Sequence, residues 1–188
     1  MNIETTHTET KKIASPERSR RVPELRFKEF DGVITETEFG KCYSFHTTNS
    51  LSRDKLNYEE GKVRNIHYGD IHKKFESNFY LTNENVPFIN RDIDLSKIKE
   101  DSYCKVGDIV IADASEDYAD IGKSIELINI YNEKLLAGLH TFLARPTTGK
   151  TAVGYIIFLL KSWKLRKQIM TIAQGTKVLS LSTGRVSK

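Results

Sequence analysis

The residues best suited to catalysis lie between a strand-like and a helix-like run near the C-terminus. Residues 144–151, ARPTTGKT, end in the Gly-Lys-Thr of a phosphate-binding loop, in which helix N-terminal amides and the lysine face phosphate oxygens. The apolar run Ile109–Ala112 followed by Asp113 resembles a strand whose final Asp holds magnesium. However, Ala144 replaces the motif's first glycine, Pro146 restricts the loop, and the Asp-bearing strand comes first. A P-loop-like nucleotide-binding enzyme is therefore kept as an alternative.

A second set of residues is suited to a small metal-dependent nuclease, which needs clustered carboxylates beside a lysine. Glu60-Gly61-Lys62 with Asp54 and Asp70 could supply such a cluster, and so could the acidic segment 113–123. That segment lacks the glycine at position six and the glutamate at position twelve of a calcium loop. Short matches of this kind arise readily by chance, so the nuclease is a further alternative.

The histidines and cysteines give no other reactive site. His67 and His72 are five residues apart, with no third ligand at metal-binding spacing. Cys42 and Cys104 form no CxxC pair and predict no disulfide framework. The sequence contains neither a Gly-x-Ser-x-Gly motif nor a dinucleotide-binding fingerprint. We therefore predict a protein that is not an enzyme, with no catalytic residues, no metal and no cofactor.

The polar candidates lie in loops between short strand-like runs. Alternating or continuous apolar residues predict strands at 41–46, 63–68, 78–81, 86–90, 109–111, 124–131 and 139–145. Turn-forming residues predict loop L1 (Thr47–Tyr58), loop L2 (Asp113–Lys123) and a third loop at 146–150. Loops that a rigid sheet positions are where recognition residues tend to lie.

One amphipathic helix is predicted over Thr151–Ala173, with Gly175 placed to end it in the left-handed conformation. Its apolar positions recur at helical spacing: Ile156, Leu160, Trp163, Leu165, Ile169 and Ile172. Its other face carries four cations: Lys161, Lys164, Arg166 and Lys167. We expect the apolar face to pack on the core, whereas the cations could contact phosphates.

Length and composition favour one folded domain. The chain has 188 residues, and its nine Phe and eight Tyr provide enough bulk for a core. Residues 1–21 are polar and predict a flexible tail without a signal peptide, which leaves 22–188 as the domain. The longest apolar run, Tyr155–Leu160, is far shorter than the ~20 residues of a membrane span. We therefore expect a cytoplasmic protein.

The charge is unevenly distributed along the chain. Residues 131–188 contain ten Lys or Arg against one acid, whereas residues 81–130 contain five against eleven. A basic C-terminal third would suit a polyanion such as nucleic acid. An acidic DNA mimic is a third alternative, supported by the middle segment alone and opposed by the basic one.

Four segments together resemble the N-terminal half of a type I restriction–modification specificity subunit. Residues 22–32, VPELRFKEFDG, are similar to the family's opening P-x-L-R-F-x-x-F-x-G, and residues 65–71, NIHYGDI, to its I-x-x-G-D-I. Residues 107–113 with 121–123, GDIVIAD and IGK, resemble its G-D-I-L-I-(S/A)…I-G-K hairpin. Residues 139–146, LHTFLARP, and 174–182, QGTKVLSLS, resemble the N-x-H…R-P and G-T…S segments around its helix. Their order and spacing carry the resemblance.

The resemblance implies a DNA target recognition domain with an α+β fold and a mixed, mostly antiparallel sheet, as in TaqI-methyltransferase-like recognition domains. Such a domain recognises one half of a bipartite DNA site for methyltransferase (M) subunits and, through them, the restriction (R) subunit. The specificity subunit itself catalyses nothing, and the sequence lacks the N-P-P-(Y/F) motif of an adenine methyltransferase. Double-stranded DNA and M subunits are thus the implied partners, with no membrane.

The chain departs from the family pattern at its C-terminus. A full specificity subunit continues into a Pro-rich turn, a Glu-Gln pair, a spacer helix and a second recognition domain. This sequence stops at Lys188. We therefore expect a single recognition domain, with the spacer helix and the second domain missing.

The DNA-contacting residues are predicted from their chemistry, since base edges are contacted by polar side chains and phosphates by cations. In loop L1 we predict that Asn49, Ser50, Ser52, Arg53 and Lys55 enter the major groove. In loop L2 we predict contributions from Ser115, Tyr118 and Lys123. We expect Arg64, Lys73 and Lys74 to position the DNA backbone.

Overall fold

The computed structural model describes residues 36–147 and 151–188, and the elements below belong to one unit, Thr37–Lys188. The predicted tail at 1–21 and the first motif segment at 22–32 lie outside the described residues. The same is true of Gly149 and Lys150 of the phosphate-loop candidate. The predicted domain boundary at residue 22 therefore stays a prediction.

Short strands and helices alternate along the described chain. The strands are β1 (Tyr43–His46), β2 (Leu56–Asn57), β3 (Arg64–Ile66), β4 (Asn78–Tyr80), β5 (Phe88–Ile89), β6 (Ile109–Ala112), β7 (Ala114–Ser115), β8 (Ser124–Asn129), β9 (Leu135–Ala137), β10 (Thr141–Pro146) and β11 (Leu179–Ser180). The α-helices are α1 (Phe39–Cys42), α2 (Tyr68–Lys73), α3 (Ile156–Lys161), α4 (Trp163–Ile172) and α5 (Thr183–Val186). Single 3-10 turns occur at Arg53–Lys55, Leu81–Asn83 and Glu100–Ser102.

The strands form a five-stranded, a four-stranded and a two-stranded sheet. The central sheet has the order β1-β10-β6-β8-β4, the second β2-β5-β3-β9 and the third β11-β7. Among the described strands, β3 with β9 and β4 with β8 pair in parallel, and the other pairs are antiparallel. The predicted α+β class with a mixed, mostly antiparallel sheet is confirmed.

Helices α2 and α3 pack on opposite faces of the central sheet. Successive residues of a strand point to opposite faces. Val110 and Ala112 of β6 belong to the same apolar cluster as Ile71 of α2. The alternate β6 residues Ile109 and Ile111 instead join the cluster that contains Ile157 and Leu160 of α3. The sheet thus separates the surface around α2 from the surface around α3.

The strand predicted over 63–68 ends earlier, because a helix begins inside it. Strand β3 stops at Ile66, and Tyr68 is the first residue of α2. The His67 ring accepts a hydrogen bond from the Gly69 amide and so caps the new helix. A side-chain acceptor at this position satisfies an amide that has no partner within the helix.

The helix predicted over 151–173 is present, but it is shorter and broken into two. Ser162 has an extended backbone (ψ 144°), which separates α3 from α4. The break turns Trp163 away from the core, and its side chain is 72% exposed, contrary to the expectation. Gly175 does have a positive φ of 119°, but it follows the end of α4 by three residues.

No helix in the two described ranges is long and apolar enough to cross a membrane.

Candidate nucleic-acid interface

Loops L1 and L2 both contact helix α2. From L1, Arg53 reaches the carboxylate of Asp70 in the first turn of the helix. From the end of L2, the Lys123 ammonium group donates to the backbone carbonyl of His72, over 2.6 Å. Two loops that are more than fifty residues apart in the sequence are therefore held at one short helix.

Asp70 is the anchor for loop L1. Its side chain is 1% exposed, and it accepts two hydrogen bonds from the Arg53 guanidinium, over 2.7 and 3.0 Å. The Lys74 ammonium group lies 3.0 Å from the same carboxylate. Burial would raise the pKa of Asp70, but the hydrogen bonds from Arg53 and Lys74 outweigh it and hold the pKa below its usual range. The carboxylate is therefore charged, and it satisfies both cations.

The Arg53 guanidinium is almost fully occupied within the protein. Besides Asp70, it donates to the Tyr58 hydroxyl over 3.1 Å and to Nδ1 of His67 over 3.1 Å. Burial and the positive charge of Arg53 lower the pKa of His67, so its ring is neutral and accepts at Nδ1. These contacts hold loop L1 at Arg53 and at Tyr58, and they leave the Arg53 guanidinium few N–H donors for another partner.

Loop L2 is held between α2 and α4 by its last three residues. Ile121 is fully buried, and Gly122 has a φ of +68°, a conformation that glycine adopts without strain. A Cβ at Gly122 would lie 2.6 Å from Ile169 of α4, so this approach requires glycine. On the other side, Nε2 of His72 lies 3.0 Å from the Ala114 carbonyl oxygen. The Ile-Gly-Lys segment of the resemblance thus fixes the loop on two helices.

A group of aromatic rings lies between the two loops. The Tyr68 ring has centroid distances of 4.7, 6.0 and 5.3 Å to the rings of His67, His72 and His140. Nδ1 of His140 lies 3.4 Å from Asp113, the first residue of loop L2. Burial raises the pKa of Asp113, and the neighbouring His140 only partly offsets this effect. These rings provide a packed base from which both loops project.

A second buried aspartate anchors the strand that leads toward the third loop. Asp108 accepts from Nε and Nη2 of Arg145, over 2.9 and 2.7 Å, and from the Lys105 amide over 2.8 Å. Arg145 also donates to the Tyr103 carbonyl over 2.7 Å. The hydrogen bonds to Asp108 raise the pKa of Arg145 despite its burial. The two Gly-Asp-Ile segments therefore each use their aspartate to hold an arginine from a distant part of the chain.

The groups that face solvent around α2 are polar or cationic. The Lys73 side chain is exposed and makes no hydrogen bond or ion pair with the rest of the described chain. Ser50, Ser52 and Lys55 are exposed on loop L1, where Ser52 and Lys55 both contact the exposed Asp54. Tyr118 is 51% exposed on loop L2. These residues could contact a ligand without breaking a buried interaction.

Three predicted site residues make contacts within the protein, and their contact with DNA stays a prediction. Asn49 donates to the Asn65 side chain over 2.7 Å and to the Ala137 carbonyl over 3.1 Å. Arg64 pairs with Glu133 over 2.6 Å and stacks on a ring in the second sheet, without a contact to α2. The Ser115 hydroxyl accepts from the Asp117 amide and shapes loop L2. Asn49 and Ser115 thus support the loops, and Arg64 lies apart from them.

Within the described ranges, two carboxylates of the nuclease alternative are paired with cations rather than clustered. Glu60 pairs with Arg91, whereas Asp70 is enclosed by Arg53 and Lys74. Across residues 36–147 and 151–188, no three His, Cys, Asp or Glu side chains come close enough together to hold a metal ion.

The sequence analysis missed the contribution of α2 itself. Tyr68 was assigned to a strand, and Asp70 was considered only as a nuclease carboxylate. One signal was available, because an aspartate after glycine at a histidine-capped position suits the first turn of a helix. The partnership of Asp70 with Arg53 links distant residues, and no local pattern predicts it.

Several solved structures are similar to this chain, and two of them are described here. No protein-family model matches the chain, and no curated protein matches it. One structure is a type I restriction-modification system S subunit from M. genitalium, with 10% identity and a TM-score of 0.49. The other structure has the description "Structural basis underlying complex assembly and conformational transition of the type I R-M system". Its identity to this chain is 13%, and its TM-score is 0.45. The two matches cover 82% and 79% of this chain. They cover 32% and 34% of the lengths of the two matched chains. The chain therefore corresponds to about a third of each of these proteins.

Proposed function

We propose that this chain is a non-catalytic DNA target recognition domain of a type I restriction–modification specificity subunit. In this role it binds one half of a bipartite double-stranded DNA site for M subunits and, through them, the R subunit. The family assignment is supported by the sequence order of the motif segments at 22–32, 65–71, 107–113 with 121–123, 139–146 and 174–182. The activities of the M and R subunits would reside in those partners.

The observation that carries the proposal is the convergence of loops L1 and L2 on helix α2. Both loops were predicted to bind DNA from their polar and cationic residues, and Arg53 and Lys123 join them to one helix. Lys73 adds an exposed cation to that helix, and Lys74, which is paired with Asp70, follows directly after it. Two projecting loops beside a cationic helix suit a DNA groove flanked by phosphates.

The contacts of the predicted residues suggest three different roles in DNA binding. Lys73, exposed and unpaired within the described chain, and Lys55 are suited to phosphates. Ser50, Ser52 and Tyr118 are exposed at the loops and are suited to base edges. Arg53 is a positioning residue, since its donors are used by Asp70, Tyr58 and His67.

The buried aspartates favour a recognition scaffold over a nucleotide site. Arg145, in the phosphate-loop candidate, is paired with Asp108. Asp113, the candidate magnesium ligand, instead lies against His140 and has a raised pKa because it is buried.

Selection from a random DNA duplex pool tests the proposal. The purified chain is incubated with the pool at low and at moderate salt, and the retained duplexes are sequenced. We expect enrichment of one short half-site, with affinity that falls as salt rises. The control is the Lys73→Ala variant, which should retain the same half-site with lower affinity.

Salt-sensitive retention without any enriched sequence would contradict the proposal, because it would indicate only a basic surface. Hydrolysis of a nucleoside triphosphate, or magnesium-dependent cleavage of the duplexes, would instead favour an enzyme. Assembly with M subunits is tested separately, by mixing the chain with purified M subunits and measuring the mass of the complex.

A further inference from the structure

Helix α3 and the start of α4 expose a set of large apolar side chains. We call this set the α3 apolar surface: Val153, Tyr155, Phe158, Leu159 and Trp163. Phe158 is 60% and Trp163 72% exposed, although both are aromatic. Positions 155, 158 and 159 recur at the spacing of one helix face. Exposed apolar side chains that share one helix face often mark a site of interaction with another molecule.

The helix beneath this surface is firmly attached to the central sheet. Ile157 and Leu160 pack in the cluster that contains Ile109 and Ile111 of β6. The buried carboxylate of Glu126 accepts from the Gly154 amide over 2.7 Å and from the Ile157 amide over 3.3 Å. A charged acceptor at the N-terminus stabilises a helix. The exposed residues therefore project from a fixed helix with its own buried face.

The charge around the surface determines which partner fits it. The segment that carries this surface, residues 151–173, contains Lys161, Lys164, Arg166 and Lys167 and no Asp or Glu. Lys161 and Lys167 are exposed next to the apolar residues. A second copy of the chain would place like charges opposite each other, which opposes self-association. An acidic partner would instead pair with this border of cations.

The geometry also disfavours a membrane surface as the occupant. Helices that lie on a bilayer present a long continuous apolar face to it. Here α3 has six residues, and the helix is interrupted at Ser162. After the break, Leu165 and Ile169 are turned toward the protein core. The exposed apolar area is therefore short, and it suits a protein helix better than a bilayer.

We propose that the α3 apolar surface docks an acidic amphipathic helix of another protein. The apolar face of that helix would cover Phe158 and Trp163, while its acidic residues pair with Lys161 and Lys167. Because α3 and α2 lie on opposite faces of the central sheet, this partner and DNA can be bound at the same time. The inference does not rest on the proposed DNA recognition.

Selection from a displayed library of helical peptides tests the inference. The full chain is the bait, and the Phe158→Ser/Leu159→Ser variant removes peptides that bind elsewhere. We expect the retained peptides to carry apolar residues at helical spacing with Asp or Glu beside them. Retention of equal numbers of peptides by both baits, or enrichment of basic peptides, would overturn the proposal.

Trp163 provides the direct measurement, since it is the only tryptophan of the chain. A retained peptide should shift the Trp163 emission to shorter wavelength, because the indole leaves water. The Lys161→Glu/Lys167→Glu variant has its apolar residues intact and should bind the acidic peptide about tenfold more weakly. Equal affinity would contradict the charge pairing. A shift that arises instead with phosphatidylglycerol vesicles, or with protein concentration alone, would assign the surface to a membrane or to a second copy.

Discussion

Arg53 of loop L1 and Asp70 of helix α2 form a two-point ion pair in which the carboxylate is buried and the guanidinium is 43% exposed at the surface. The pair joins residues separated by seventeen positions and is supported by Lys74. A buried charge requires such partners, because leaving it unpaired is costly. The conformation of loop L1 is therefore linked to the position of α2.

The first prediction separates a positioning role of Arg53 from direct base contact. If Arg53 acts through Asp70, then Arg53→Ala and Asp70→Asn should each weaken binding to the enriched half-site about tenfold. The double variant should bind the half-site no more weakly than either single variant, because the same ion pair is broken in all three proteins. Binding titrations of the four proteins measure the coupling.

Direct base contact would give a different pattern. Asp70→Asn would then free the guanidinium and leave the affinity equal or higher, whereas Arg53→Ala would also relax the sequence preference. Unchanged affinity of Arg53→Ala would remove loop L1 from the proposed interface. Arg91→Ala is the matched control, since Arg91 pairs with Glu60 at an exposed site.

The second prediction compares two neighbouring lysines. Lys73 has no partner within the described chain, whereas Lys74 is bound to Asp70 and Tyr58. Lys73→Ala should lower the slope of log affinity against log salt by about 1 and leave the melting temperature unchanged. Lys74→Ala should lower the melting temperature as well, because it weakens the Asp70 anchor. An equal salt slope for Lys73→Ala and the unmodified chain would exclude Lys73 from phosphate contact.

The third prediction concerns acid stability. The pKa of Asp70 in the folded protein is below its ordinary value of about 3.9, so the unfolded chain binds more protons between the two values. The resulting stabilisation is complete above about pH 5 and is lost as the pH falls through the lowered pKa. Asp70→Asn should therefore be less stable at neutral pH and lose less stability on acidification. Urea unfolding at several pH values measures this effect.

Asp113 supplies a control of opposite sign. Burial raises its pKa in the folded protein, so ionisation costs stability as the pH rises from about 3.9 through that raised pKa. Asp113→Asn should therefore gain stability relative to the unmodified chain above this range. If both variants changed in the same direction, the assignment of these two carboxylates would be wrong.

Local patterns in the sequence predicted the strands of the central sheet well. Ile109–Ile111 is wholly apolar because it is buried, and it lies in β6. The strand predicted over 124–131 is β8, which ends two residues earlier at Asn129, because Tyr131 lies in an exposed turn. The loops were predicted because turn-forming residues interrupt these runs. Their convergence on α2 was not predicted, since it depends on the contacts of Arg53 and Lys123 with residues distant in the sequence.

The differences from prediction arise where tertiary contacts override a local pattern. Apolar periodicity alone predicts one C-terminal helix that continues through Ser162. In the structure, a hydrogen bond to Glu126 fixes the start of α3, and the absence of a side chain at Gly122 leaves room for Ile169 of α4. Polar chemistry alone placed Asn49 at the DNA. In the structure, the Asn49 side chain ties loop L1 to Asn65 and to strand β9, and its contact with DNA stays a prediction. Residue type indicates that a side chain can form hydrogen bonds, but it does not identify the partner.

The fourth prediction concerns the Asp108–Arg145 pair, which holds β10 to the segment before β6. Both side chains are largely buried, and Arg145 is joined to Asp108 by two hydrogen bonds. Removing one partner of a buried pair leaves a charge unpaired and typically costs about 3–5 kcal/mol. Arg145→Ala should therefore destabilise the fold by an amount in that range, as measured by urea unfolding.

Arg91→Ala serves as the control for this loss as well. Arg91 also pairs with a carboxylate over 2.6 Å, but both members of this pair are exposed, and such pairs contribute less than about 1 kcal/mol. The phosphate-loop alternative predicts another pattern, because there the 144–151 segment would act on a ligand rather than on Asp108. An Arg145→Ala protein with unchanged unfolding free energy would show that the Asp108 pair does not stabilise this part of the fold.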